Sequence, residues 1–130
     1  MENLIFNNLT VEVSGSFPDK IRLDWKGKSN DRQPRKILDP FFVQVSDAAL
    51  HQKVGIEMHF EELEYFNSST ITAIIQLIQD LRARKVPLEI QYDGSIKWQK
   101  LSFDALKIFE KRQDGLLKIF SVAQGAPDGS

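Results

Sequence analysis

The stretch Gly55-Ile56-Glu57-Met58-His59-Phe60-Glu61-Glu62-Leu63-Glu64-Tyr65-Phe66-Asn67-Ser68-Ser69-Thr70 ends where one periodicity gives way to another, and that change decides how the chain reads. Ile56, Met58 and Phe60 alternate with Glu57 and His59, the period of two that marks a strand with one buried face. From Ile71 the spacing becomes helical. Ile71, Ile74, Ile75, Ile78 and Leu81 fall on one stripe expected to be buried against the sheet, with Gln76, Gln79, Asp80 and Arg82 largely off it. The hydroxyls of Ser68, Ser69 and Thr70 therefore stand at a helix N-terminus. Free backbone N–H groups and the positive end of the helix dipole make added negative charge tolerable there. A phosphate on one of these serines is expected to change the surface without dismantling the fold.

Outward from this segment the alternation returns on both sides. Leu9, Val11 and Val13 alternate with polar residues over 9–14, Ile21, Leu23 and Trp25 do so over 21–26, and a turn at 15–19 joins the two into an expected hairpin. Residues 27–34 are polar and break the pattern. A helical stripe follows at Leu38, Phe41, Phe42, Val45 and Ala49. Its helix starts either at Asp39-Pro40 or near Pro34 with a bend at Pro40. Beyond the central helix, Leu88, Ile90 and Tyr92 mark a strand and Asp93-Gly94 a turn. Ser95 is expected to cap a third helix running to about Glu110, with Leu101, Ala105, Ile108 and Phe109 on its inner face and Trp98 one turn earlier. Residues 116–122 read as a last strand, and 123–130, aperiodic and rich in small and polar residues, as a disordered C-terminal tail.

The order β-β-α-β-α-β-α-β is that of an α/β domain spanning 1–122. The strands keep a polar alternate face where a doubly covered sheet would read as continuous apolar runs, so the helices are expected mainly on one face. Arg22, Asp24, Glu57, His59, Glu89 and Gln91 would then line the other, partly open to solvent.

Composition narrows the function classes. The 17 Lys and Arg against 18 Asp and Glu give a formal charge of -1, which removes the electrostatic argument for nucleic-acid binding. Arg82, Arg84 and Lys85 read as a solvated helix end. Zero cysteines exclude disulfides and thiolate chemistry. No run approaches a membrane span and Met1-Glu2-Asn3-Leu4 lacks the features of a signal peptide, so a cytoplasmic protein without a membrane partner is expected. There is no nucleophile elbow, Ser-x-x-Lys, phosphate-cradling Gly-rich loop or His/Glu metal motif, and no enzyme, cofactor or metal is expected. His59 reads as a surface or hydrogen-bonded histidine, and Trp25 and Trp98 as core or core-edge aromatics.

The strand, the segment Phe60-Glu61-Glu62-Leu63-Glu64-Tyr65-Phe66-Asn67-Ser68-Ser69-Thr70-Ile71 and the helix after it resemble the STAS domain family, which includes bacterial anti-sigma-factor antagonists. The resemblance runs from the first strand to about Val122 and includes Val86-Pro87-Leu88-Glu89-Ile90. It implies a single STAS-like domain with a mixed sheet of about five strands and three to four helices. It also implies a phosphorylatable regulator in a bacterial partner-switching pathway, bound to its partner when unphosphorylated and released by serine phosphorylation. The implied partners are a serine kinase resembling an anti-sigma factor, a metal-dependent serine phosphatase and a signalling enzyme as target.

Asn67 stands where the antagonists carry Asp, and Thr70 where they carry Gly. The antagonist pattern points to Ser69 as the modified residue. A related group of STAS-like regulators that bind signalling enzymes has Asn before the hydroxyls and points to Ser68, so Ser69, or failing that Ser68, is the expected phosphorylation site. Asn67, Thr70, Asn30, Asp31 and Arg32 are the implied partner contacts. Read locally, Asn-Ser-Ser-Thr before an apolar helix is a capping sequence, with Asn67 or Ser68 as the cap. The alternative function is a constitutive STAS scaffold or ligand-binding module whose hydroxyls only cap the helix.

Overall fold

Alternation along the strands and helical stripes between them resolve, in a computed structural model describing residues 1–16, 19–111 and 113–122, into one mixed α/β sheet with its helices on one face. The order is β1 (Leu4–Phe6), β2 (Leu9–Ser16), β3 (Lys20–Ser29), α1 (Arg35–Gln52), β4 (Gly55–His59), β5 (Leu63–Phe66), α2 (Ser68–Arg84), β6 (Leu88–Tyr92), α3 (Lys97–Leu106) and β7 (Leu117–Ser121). The expected turn falls partly on Phe17 and Pro18, and the expected tail wholly on 123–130, outside the described residues.

The sheet has seven strands where about five were expected, in the order β1-β2-β3-β4-β6-β7, with β5 pairing β3 beyond the end of β4. β1, β2 and β3 are antiparallel, as two-residue and short turns allow. β3, β4, β6 and β7 are parallel and connected through helices. Register carries the apolar stripe straight across. Leu23 lies beside Met58, Met58 beside Ile90 and Ile90 beside Ile119, all buried. At about 1.5–3 kcal/mol per fully buried large apolar side chain, this stripe and the helices on it form the main stabilising element. An aromatic chain ties the layers: Trp25 meets Phe60 at 4.9 Å, Phe60 meets Phe103 of α3 at 4.8 Å, and Phe103 stacks on Tyr92 at 5.2 Å.

Several expectations are corrected. α1 takes the earlier of its two possible starts, with Pro34 as its N-cap residue, and runs through Pro40, whose ring faces solvent. α2 turns slightly from its expected face: Thr70, Ala73, Ile74, Leu77, Ile78 and Leu81 are buried, while Ile71 and Ile75 are half-buried. α3 is shorter and turned over. It buries Gln99, Phe103 and Leu106, leaves Leu101 and Ala105 exposed, with Ile108 exposed in the 3-10 turn Lys107–Phe109 that follows, and is not capped by Ser95. Instead, the Ser95 N–H and hydroxyl both donate to Asp93. Arg82 and Arg84 are not simply solvated. Arg82 donates to Asp114 and the Phe109 carbonyl, and Arg84 to Asp47 and Ser46 of α1.

The polar face lies opposite the helices, as the alternation requires. Arg22, Asp24, Glu89 and Gln91 are half-buried there. Glu57 and His59 were expected partly open and are instead 7% exposed each, covered by charged neighbours and not by a second helical layer. Lys20 bridges Glu89 at 2.8 Å and Glu57 at 3.7 Å, and the His59 ring lies between Glu57 at 2.6 Å and Glu61 at 3.3 Å.

Candidate functional site

The site is built where β3, β5 and the first turns of α1 and α2 meet. Gly27, at φ +86°, lets β3 change partners: a Cβ there would overlap the Asn8 carbonyl oxygen, and the register shifts between Gly27 and Lys28. Past this irregularity Lys28 and Ser29 pair with Tyr65 and Phe66 of β5. Ser29 is thereby set under the start of α2, where its carbonyl accepts the Asn67 N–H at 3.0 Å.

Asn67 is the N-cap, with extended backbone and a fully used side chain. Its Oδ1 accepts the Thr70 N–H at 2.9 Å and the Thr70 hydroxyl at 2.8 Å, and its Nδ2 donates to the Asp31 carbonyl at 2.7 Å. Because the single Thr70 hydroxyl proton goes to Asn67, the 2.7 Å contact between Thr70 Oγ1 and Ser29 Oγ has Ser29 as its donor. Thr70 is 0% exposed and serves the cap from below, so a partner meets this position only through the residues around it.

Capping is thus complete without either serine. Ser68 is exposed and Ser69 half-buried, and neither hydroxyl makes a hydrogen bond among the described residues; the Ser68 carbonyl accepts the Thr72 hydroxyl at 3.0 Å. Beside them, Asp31 is pinned on three sides: its carboxylate accepts from Asn7 and from the Gln33 N–H, its carbonyl from Asn67. Asn30 and Arg32 flank it and are exposed. The structure therefore brings Asn67, Ser68, Ser69, Asn30, Asp31 and Arg32 to one surface with Thr70 beneath. Sequence reasoning missed Ser29. Its signal was Gly27, the residue that puts β3 out of register.

Asp31 meeting Asn67 just ahead of α1 and α2, and Arg84 reaching Ser46 and Asp47 near their far ends, set the two helices side by side in the same direction. Between them runs a groove of about 350 Å³, lined by Asp39, Phe42, Val43, Gln76, Leu77 and Asp80 among others. Among the described residues no His, Cys, Asp and Glu group is suited to a metal ion, and no helix is long and apolar enough to cross a membrane.

No protein-family model and no curated protein matches the chain. Solved structures do. SiaC, in the crystal structure of the diguanylate cyclase SiaD with its activator SiaC from Pseudomonas aeruginosa, aligns at TM-score 0.64 and 15% identity over 92% of this chain and 98% of that one. The anti-sigma-factor antagonist SpoIIAA in its unphosphorylated form aligns at 0.53 and 14% identity, over 88% and 90% of the two chains. The fold is SpoIIAA-like. A DUF3478-family protein with a SpoIIAA-like fold from Shewanella loihica PV-4 aligns at 0.55 and 13% identity over 90% of each chain. The STAS-like architecture expected from the switch segment is thus found in the fold, at identities that carry the fold alone.

Proposed function

We propose that this domain is the phosphorylatable regulator of a partner-switching system, without enzymatic activity of its own, with Ser68 as the modified residue and Ser69 second. The observation that carries this is the division of labour at the start of α2: Asn67 and Thr70 do all the capping, and the exposed Ser68 hydroxyl is left over. This ordering reverses the antagonist pattern, which puts Ser69 first, because Ser69 is the less accessible of the two. Two structural neighbours support the reading, one described as the activator of a signalling enzyme and the other as an anti-sigma-factor antagonist in an unphosphorylated form.

The mechanism follows from charge. A phosphoserine carries roughly -1.5 to -2 charges at neutral pH, and a partner surface that closes over a neutral Ser68 must desolvate that charge once it is modified. Within the domain, the α2 N-terminus tolerates it. The unmodified form binds its partner through Ser68, Asn67, the Asn30–Arg32 loop and the exposed rim of the groove between α1 and α2, and the modified form releases it. A serine kinase resembling an anti-sigma factor and a metal-dependent phosphatase set the balance in the cytoplasm, and the target is a regulatory protein or signalling enzyme.

Intact-mass spectrometry of the protein from its native cells tests this, with Ser68→Ala, Ser69→Ala and the double variant alongside. Under some growth condition wild type carries the mass of one added phosphate, Ser68→Ala loses it, and the phosphorylated protein binds its partner more weakly. Full phosphorylation of the double variant, or equal partner affinity in both states, would leave the constitutive scaffold as the better reading.

A further inference from the structure

The outer face of α3 is a second, independent surface. Leu101 and Ala105 of α3, with Ile108 in the 3-10 turn Lys107–Phe109 that continues it, form the apolar stripe that the sequence assigns to the core, yet Leu101 is 64% and Ile108 79% exposed. The core takes Phe103 and Leu106 from the opposite face, so folding does not require the outer stripe. Scattered exposed aliphatics are ordinary, but an aligned set inside a net positive rim is not.

Lys97, Lys100, Lys107 and Lys111 accompany the stripe. Asp104 is shared by Lys100 at 2.9 Å, Lys107 at 3.3 Å and the Tyr92 hydroxyl at 2.7 Å, and Glu110 accepts the Ile119 N–H. Lys97 makes no salt bridge among the described residues, and Lys111 lies close enough to Asp114 to help lower that carboxyl's pKa. The surface is therefore apolar along its middle and net positive at its rim, where Lys97, Lys100, Lys107 and Lys111 stand against Asp104 and Glu110, on a chain whose formal charge is -1.

We propose that this face docks an acidic amphipathic helix of a partner protein, one with aliphatic side chains at matching spacing and carboxylates beside them. Charge complementarity selects that occupant. A second copy of this chain would set lysines against lysines. An anionic membrane surface would draw on aromatic anchors, but Trp98 packs edge-on against Phe66 at 5.0 Å and Phe109 packs on the core, which leaves two large aliphatics to insert.

The test is an NMR titration of the full-length labelled chain with an acetylated, amidated peptide carrying leucines at i, i+4 and i+7 flanked by glutamates, and with its lysine counterpart. The glutamate peptide is expected to shift amides over residues 97–111 and to bind about tenfold or more weakly to Lys97→Glu/Lys111→Glu. Leu101→Ser/Ile108→Ser is expected to lose the shifts while unfolding as wild type does. The proposal is overturned by an absence of shifts in α3 or by equal affinity for both peptides. A destabilised serine variant, binding to phosphatidylcholine/phosphatidylserine vesicles with no peptide binding, or a dimer dispersed by Leu101→Ser would each overturn it too. None of these readouts involves phosphorylation of Ser68, so failure here and failure of the switch are separable.

Discussion

Asn67 joins two segments through one short side chain: its oxygen holds Thr70 at the start of α2, and its amide holds the Asp31 carbonyl ahead of α1. An aspartate could accept from Thr70 but could not donate to Asp31, which gives the Asn at this position a physical reason. Replacing Asn67 by Ala removes the cap and strands part of the Thr70 and Asp31 polar groups. The expected loss is about 2 kcal/mol, the upper end of the usual range for a cap. Ser68→Ala, by contrast, deletes an exposed hydroxyl with no hydrogen bond among the described residues and is expected to stay within about 0.5 kcal/mol of wild type. Urea midpoints at constant m-value make the comparison. Equal destabilisation by the two variants would mean that Ser68 shares the capping and is not free for modification.

At the scale of elements, long alternating strands and α2 were legible in the sequence because burial on one face leaves a period. β1, three residues long, and β5, four residues with buried ends and an exposed middle, are too short to leave one. α3 failed for a different reason: it carries apolar residues on two faces, and periodicity does not say which faces the sheet. The deciding residue is polar. Gln99 is fully buried, donating to the Phe60 and Leu63 carbonyls at 2.7 and 3.0 Å and accepting the Asp93 N–H at 2.8 Å, so an amide that reads as solvent-facing anchors the inner face.

The same helix carries an acid-sensitive anchor. The Tyr92 hydroxyl, then Lys100 and Lys107, hold the Asp104 carboxyl at about 2, down from its ordinary 3.8. A carboxyl whose folded-state pKa lies below its unfolded value stabilises the fold fully above the unfolded pKa and loses that contribution as the pH falls through the folded one. Stability is therefore expected to decline between about pH 4 and pH 2 partly through Asp104. Asp104→Asn should flatten that part of the profile while leaving the pH dependence above about 5 unchanged. An unchanged slope, measured by denaturant unfolding across the window, would remove Asp104 from the acid response.

For the whole molecule, one-sided coverage of the sheet separates two kinds of surface. The open face pairs its own charges, Lys20 with Glu57 and Glu89, Arg22 with Asp24 and Lys26 with Glu12. The candidate site instead gathers where the parallel strands end and helices begin, the usual place for function in such sheets. The sequence marked the hydroxyls there but not their separate duties, because the contacts dividing them cross 36 and 41 residues of chain to Asp31 and Ser29. That division bears on how a charge at Ser68 would act. With capping carried by Asn67 and Thr70 and the serine exposed in the first turn, a negative charge meets the favourable end of the α2 dipole and disturbs no buried contact. Ser68→Asp is therefore expected to unfold in the same single cooperative transition as wild type, with a stability unchanged or raised by up to about 1 kcal/mol. Its amide-exchange protection over β3, β4 and β6 should be preserved, while partner affinity falls. A lower unfolding midpoint, or protection lost along α2, would mean that charge at this position works by loosening the domain and not by altering a surface on an intact one.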